Sequence, residues 1–119
     1  MKLLRLDHVQ LAMPPGGRDR ARAFYVGLLG MTEEPRPPAL AAREGCWFRA
    51  GEAAVHVGVE EDFRAAKKAH PAMVVDDLDA LAERLSSAGY APRWSDEVPG
   101  VRRFHCDDAF GNRLEFVEA

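Results

Sequence analysis

Residues 4–13 read Leu4-Arg5-Leu6-Asp7-His8-Val9-Gln10-Leu11-Ala12-Met13, and the same plan returns at His70-Pro71-Ala72-Met73-Val74-Val75. In the first stretch Val9, Leu11 and Met13 alternate with His8, Gln10 and Ala12, the period of two that marks a strand. Pro14-Pro15-Gly16-Gly17 breaks it. Ala21, Phe24, Tyr25 and Leu28 then recur at helical spacing, and Gly30 stops that helix. After the second strand, Asp76 or Asp77 can accept from the free amides of a helix start. Leu78, Leu81 and Leu85 form that helix's apolar stripe, and Gly89 ends it.

The intervals support a duplicated module. His8 lies 22 residues before Gly30 and 48 before His56; His70 lies 19 before Gly89 and 45 before Glu115. Both intervals shrink by the same 3 residues, so one short deletion between strand and helix aligns the halves. Each half closes with a glycine-marked turn and a strand: Gly51-Glu52 before Ala53–Val59, and Gly111-Asn112 before Arg113–Val117. The residues between helix and closing hairpin have room for two more strands per half. The reading is α+β: two tandem βαβββ modules, one over about 1–60 and one over about 69–119, in a single domain spanning 1–119. The charged stretch Glu60–Ala69 joins them as a linker with a turn of helix.

Composition narrows the function classes. The 119 residues are one domain's worth, and 47% apolar content is enough for an ordinary core. A net charge of −3 and a pI near 5.8 argue against nucleic-acid binding, which needs a basic face against phosphates. No stretch approaches the roughly 20 apolar residues that span a bilayer, and the first residues lack the apolar core of a signal peptide. Cys46 and Cys106 stand at no metal-site spacing and are expected to stay reduced in a cytoplasmic chain.

Four polar residues occupy equivalent places in the repeat. His8 and His70 belong to the first strand of each module, His56 and Glu115 to the last. Val55, Val57 and Val59, like Leu114 and Phe116, point one way to pack on helices, so His56 and Glu115 point the other. Alternation puts His8 and His70 on that same polar face. Three imidazoles and a carboxylate suit one divalent metal ion: Zn, Ni, Fe, Mn or Co.

At these residues the sequence resembles the vicinal oxygen chelate superfamily, which includes glyoxalase I, bleomycin-resistance proteins, fosfomycin-resistance enzymes, methylmalonyl-CoA epimerase and extradiol dioxygenases. The resemblance is carried by Leu6-Asp7-His8-Val9, Ala23-Phe24-Tyr25-Val26-Gly27-Leu28-Leu29-Gly30-Met31, His70-Pro71-Ala72-Met73-Val74-Val75-Asp76-Asp77 and Asp108-Ala109-Phe110-Gly111-Asn112-Arg113-Leu114-Glu115-Phe116. It implies paired βαβββ modules whose curved mixed sheet surrounds a metal-binding cleft. It implies His8, His56, His70 and Glu115 as ligands, and Glu115 as a ligand that also serves as catalytic base. It further implies a small substrate whose adjacent oxygens chelate the metal, turned over by lyase, isomerase or dioxygenase chemistry, and a homodimer. His56 departs from glyoxalase I, which usually has a carboxylate there, and the chain is short for an extradiol dioxygenase.

Pocket candidates are Gln10, on the face of His8; Trp47 or Phe48, on a strand bordering the cleft; and Arg103 and His105, before the last hairpin. An arginine there suits a substrate carboxylate or phosphate, and His105 suits a partner of Glu115. Two other readings compete with the enzyme. One is a non-catalytic binding or antibiotic-resistance protein using the same cleft, and the other is a scaffold that keeps the metal for stability alone.

Overall fold

The computed structural model describes all residues 1–119 as two compact units, Met1–Phe63 and Arg64–Ala119. The first unit runs β1 (Val9–Met13), α1 (Arg18–Tyr25), β2 (Thr32–Glu34), β3 (Gly45–Ala50) and β4 (Ala53–Val59). The second runs β5 (Ala72–Val75), α2 (Leu78–Ser87), β6 (Arg93–Ser95), β7 (Arg103–Asp107) and β8 (Arg113–Glu118). The expected α+β class and tandem βαβββ modules are both present. Each unit holds one four-stranded mixed sheet, ordered β1-β4-β3-β2 in the first and β5-β8-β7-β6 in the second. In each, the opening strand pairs parallel with the closing strand, and the other pairings are antiparallel. The parallel pairing requires a crossover, which is why a helix follows each opening strand. No helix is long and apolar enough to cross a membrane.

The core follows the alternation. Leu11 and Met13 of β1, Cys46 and Phe48 of β3, and Val55 and Val57 of β4 are buried, as are Ala21, Phe24 and Tyr25 of α1. Tyr25 stacks on Phe48 with centroids 5.2 Å apart, which fixes Phe48 as core and turns its neighbour Trp47 to the other face. In the second unit, Phe104, Cys106, Leu114 and Phe116 pack with Leu78 and Leu85 of α2. Both cysteines are free, and burial pushes both thiols up. Asp77 is the cap of α2, its carboxylate accepting from the Ala80 amide at 3.0 Å. Replacing it with alanine is expected to cost about 1 kcal/mol in urea unfolding, with the m-value unchanged.

Three boundaries differ from the sequence expectation. The first strand begins at Val9, so His8 stands just outside it. The register that sets Val9 against Val55 carries residues 4–6 past the start of β4 at Ala53, where there is no strand to pair with. The fifth strand begins at Ala72, two residues after His70, because Pro71 has no amide to give the ladder; its carbonyl still accepts from the Glu115 amide. The joining stretch forms no helical turn. Its backbone is satisfied by the last hairpin instead: the Ala66 amide donates to Asn112 Oδ1, and the Ala66 carbonyl accepts from the Arg113 amide.

Candidate metal centre

Strand register sets the polar residues. In the second unit Ala72 pairs with Glu115, Glu115 with His105, and His105 with Arg93, so Arg93, His105 and Glu115 share one face of the sheet. In the first unit Gln10 pairs with His56, and His56 with Trp47. Counting from these rows, His8 precedes Gln10 by two residues, as His70 precedes Ala72. The two units therefore carry the same grid, filled with different chemistry.

The second unit's grid is a donor cluster. Donor atoms of His70, His105 and Glu115 all lie within 4.8 Å of one another. Glu115 Oε1 is 3.0 Å from His70 Nε2 and 3.2 Å from His105 Nε2. The other carboxylate oxygen, Oε2, accepts from Arg103 Nη1 at 3.2 Å. His70 Nδ1 is 2.7 Å from the Lys68 carbonyl, which only accepts, so the proton sits on Nδ1 and donates to it. The ring's other nitrogen, Nε2, lies 3.0 Å from Glu115 Oε1, within hydrogen-bond distance. That contact needs a proton or a cation between the two atoms. A divalent ion fits that demand, and two imidazole nitrogens with one carboxylate oxygen suit a transition metal.

Electrostatics keep the cluster ready for a cation. Burial pushes the Glu115 carboxyl up, but the hydrogen bonds from His70 and Arg103 outweigh burial and hold it below its ordinary value. Burial pushes His105 down, with Arg113 adding in the same direction. A histidine held below its ordinary 6.5 takes up its proton later in the folded chain than in the unfolded one. As pH falls below about 6.5 the unfolded chain gains protons first, so stability drops. Above that pH the contribution is complete. The unfolding midpoint of chelator-treated protein is therefore expected to be level above about pH 7 and to decline below 6.5. Burial holds His56 down in the same way, so His105→Gln should shrink that decline without abolishing it, as read by thermal melts across pH.

The first unit's grid is a stack of rings. His8 and His56 are stacked with centroids 4.0 Å apart and planes 16° from parallel. Trp47 and His56 are stacked at 4.2 Å and 8°. His8 Nδ1 is 2.9 Å from Asp7 Oδ2. A concavity of about 1030 Å³ is lined by His8, Gln10, Trp47 and His56 among others. The second unit has a concavity of about 350 Å³, lined by His70, Trp94, Arg103, His105 and Glu115 among others.

Each expected residue is now placed. His70 and Glu115 meet, and His8 and His56 meet. Gln10 and Trp47 line the first concavity; Arg103 and His105 line the second. Arg103 was expected to offer its guanidinium to a substrate, but its Nη1 is already engaged by Glu115. His105 reaches the same Glu115 oxygen as His70, which makes it a candidate ligand as well as a partner. The signal for it was the β7–β8 register, which alternation alone does not fix. Asp108 was also missed as a determinant: buried in the last turn, its Oδ1 accepts from the Phe110 amide at 2.8 Å and the Asn112 amide at 2.9 Å. Arg102, by contrast, is an exposed surface residue paired with Asp79 and Glu118 and lying 4.9 Å over the Trp94 ring.

The comparisons with known proteins bear on the family and the fold. A solved structure from Bacillus anthracis, described as a glyoxalase family protein, is 43% identical and matches with a TM-score of 0.95 over 99% of this chain and 97% of its own. The fosfomycin resistance protein FosX from Listeria monocytogenes, at 15% identity, matches in fold with a TM-score of 0.80 over 98% of this chain and 91% of its own. A lactoylglutathione lyase from Agrobacterium tumefaciens, at 18% identity, matches with a TM-score of 0.68 over 93% and 92%. No curated protein matches the chain. The family profile covers residues 5–116, from just before His8 to just after Glu115 and so through both grids, and on that match the chain belongs to the Glyoxalase/Bleomycin resistance protein/Dioxygenase superfamily.

Proposed function

We propose that this protein is a metal-dependent enzyme of the glyoxalase type, a lyase, isomerase or dioxygenase acting on a small substrate with two adjacent oxygens. The observation that carries this reading is the clustering of donor atoms of His70, His105 and Glu115 within 4.8 Å of one another, with His70 Nε2 3.0 Å from Glu115 Oε1. His70, His105 and Glu115 would hold one divalent ion. By the resemblance, His8 is also proposed as a ligand to a divalent ion. Such an ion, when bound, acts as a Lewis acid toward neighbouring substrate oxygens.

The chain's own residues supply the rest. Arg103 holds Glu115 Oε2 and so aims Oε1 at the cluster. Lys68 fixes the His70 ring through its carbonyl. Glu115 is the only acid among the clustered donors, and its carboxyl is held ionised, as a proton acceptor must be. Its place among the donors lets one side chain both bind and take a proton from carbon next to a carbonyl. The concavity of about 350 Å³ around it lies within the range of small-molecule sites.

A second reading, a non-catalytic small-molecule binding or antibiotic-resistance protein, draws on the ring-lined concavity of the first unit. We also propose a homodimer in the cytoplasm. Leu3, Leu4 and Leu6 stand 95%, 82% and 80% exposed, an apolar arm that a second copy would cover; light scattering reads the state.

The deciding experiment is metal content by mass spectrometry on tag-free protein, before and after chelator, on wild type and His70→Ala. About one transition metal ion per chain, lost in the variant, is the expected result. No metal even after adding excess Zn, Ni, Mn, Co or Fe(II) overturns the enzyme reading and leaves the binding one.

A further inference from the structure

His56 has a ring on each face. Trp47 is its direct cross-strand neighbour from β3, and His8 precedes β1 on the other side of β4. Both are within 16° of parallel to it, at centroid distances of 4.2 Å and 4.0 Å. Two rings that each stack on one imidazole at such distances must take opposite faces. The imidazole is 9% exposed, so its surroundings fix its plane.

That geometry bears on ligation. An imidazole binds a metal through a lone pair lying in its own plane, at about 2.0–2.1 Å. Two imidazoles that share an ion therefore have planes that intersect at the ion. The planes of His8 and His56 are nearly parallel and 4.0 Å apart at their centres, so their lone pairs run side by side. Both rings cannot serve one ion as arranged. His8 is the one of the two with its second nitrogen accounted for: Asp7 Oδ2 takes its Nδ1 proton, leaving Nε2 as a bare donor.

We infer that His56 is a positioning residue and not a ligand: held between Trp47 and His8, it sets the plane in which His8 presents Nε2. Trp47 is the base of the stack, His56 the spacer and His8 the working ring. In the second unit Glu115 and His105 occupy the places of His56 and Trp47, so the pair of donors there is replaced here by a stack of rings. The role assigned to His8 as a ligand rests on the metal reading above. The stack itself does not.

The test uses full-length His56→Phe, His56→Ala and His8→Ala, with two readouts. In metal-free protein, NMR reports the His8 ring protons, which a stacked neighbour shifts upfield. The shift is expected to persist in His56→Phe, which keeps a flat ring without nitrogen, and to vanish in His56→Ala. Zn titration is the second readout. His56→Phe is expected to hold Zn within about threefold of wild type, and His56→Ala to bind about 10–100-fold more weakly, the usual cost of losing an orienting partner. If His56→Phe loses Zn as fully as His8→Ala, His56 is a ligand and the inference fails. It also fails if the His8 shift is absent in wild type or survives in His56→Ala. Should wild type bind no Zn at all, the metal reading fails, and the NMR readout alone decides whether His56 sets the His8 ring.

Discussion

Glu115→Gln is expected to weaken divalent metal binding by about 100-fold or more while leaving the fold intact. Losing an orienting partner of a metal ligand costs about 10–100-fold, and Glu115 is itself the donor that His70 and His105 face at 3.0 and 3.2 Å. The amide keeps an oxygen for Arg103 but gives up the charge. A hydrogen bond to a charged group contributes about 1 kcal/mol more than a neutral one, so stability should fall by roughly that much. Isothermal titration with Zn, beside urea unfolding of the chelated protein, separates the two effects. A variant that binds Zn as wild type does would remove Glu115 from the ligand set. A variant that binds metal but loses turnover on an identified substrate would keep it as base alone.

Asp108→Ala should produce the largest loss of stability, about 3–5 kcal/mol. Its carboxylate is 3% exposed and accepts from the Phe110 and Asn112 amides, while Oδ2 takes the Asn112 side-chain amide at 3.1 Å. Each buried donor left unmet costs about 1–3 kcal/mol, a large share of the roughly 5–15 kcal/mol that holds a domain together. The consequence reaches the donor cluster. This turn joins β7 to β8 and sets His105 opposite Glu115. A slip of one residue would send one of them to the core face. Urea unfolding should show the loss, and Zn binding at temperatures where the variant is still folded should weaken with it. Asp108→Asn, which keeps an acceptor, should recover most of both.

Much of this architecture was legible because each module punctuates itself. The Gly51-Glu52 and Gly111-Asn112 turns marked the start of β4 and β8, and matched intervals from His8 and His70 located equivalent rows of two sheets. Val57 and Phe116 announced the core face by alternation alone. What stayed hidden depends on partners distant in sequence. His8 fell just outside the strand that begins at Val9, and the linker took its hydrogen bonds from Asn112 and Arg113 and not from a helix of its own. His105 was seen as a neighbour of Glu115 but not as a donor equal to His70, since that needs the register and not the pattern. The relation of His8 to His56 was the least legible of all: two histidines on one face look like co-ligands until their ring planes are known.

The parallel pairing that opens each module also orders its assembly. The β3–β4 and β7–β8 hairpins close over a few residues, whereas Val9 must find Val55 and Ala72 must find Glu115 across most of a module. Closing the longer loop costs more chain entropy and returns its contacts late. The hairpins therefore form first, with Trp47 already beside His56 and His105 already beside Glu115. His8 and His70, which lead into the opening strands, are expected to arrive last. Native-state hydrogen exchange should find β1 and β5 opening at lower free energy than the hairpins they join.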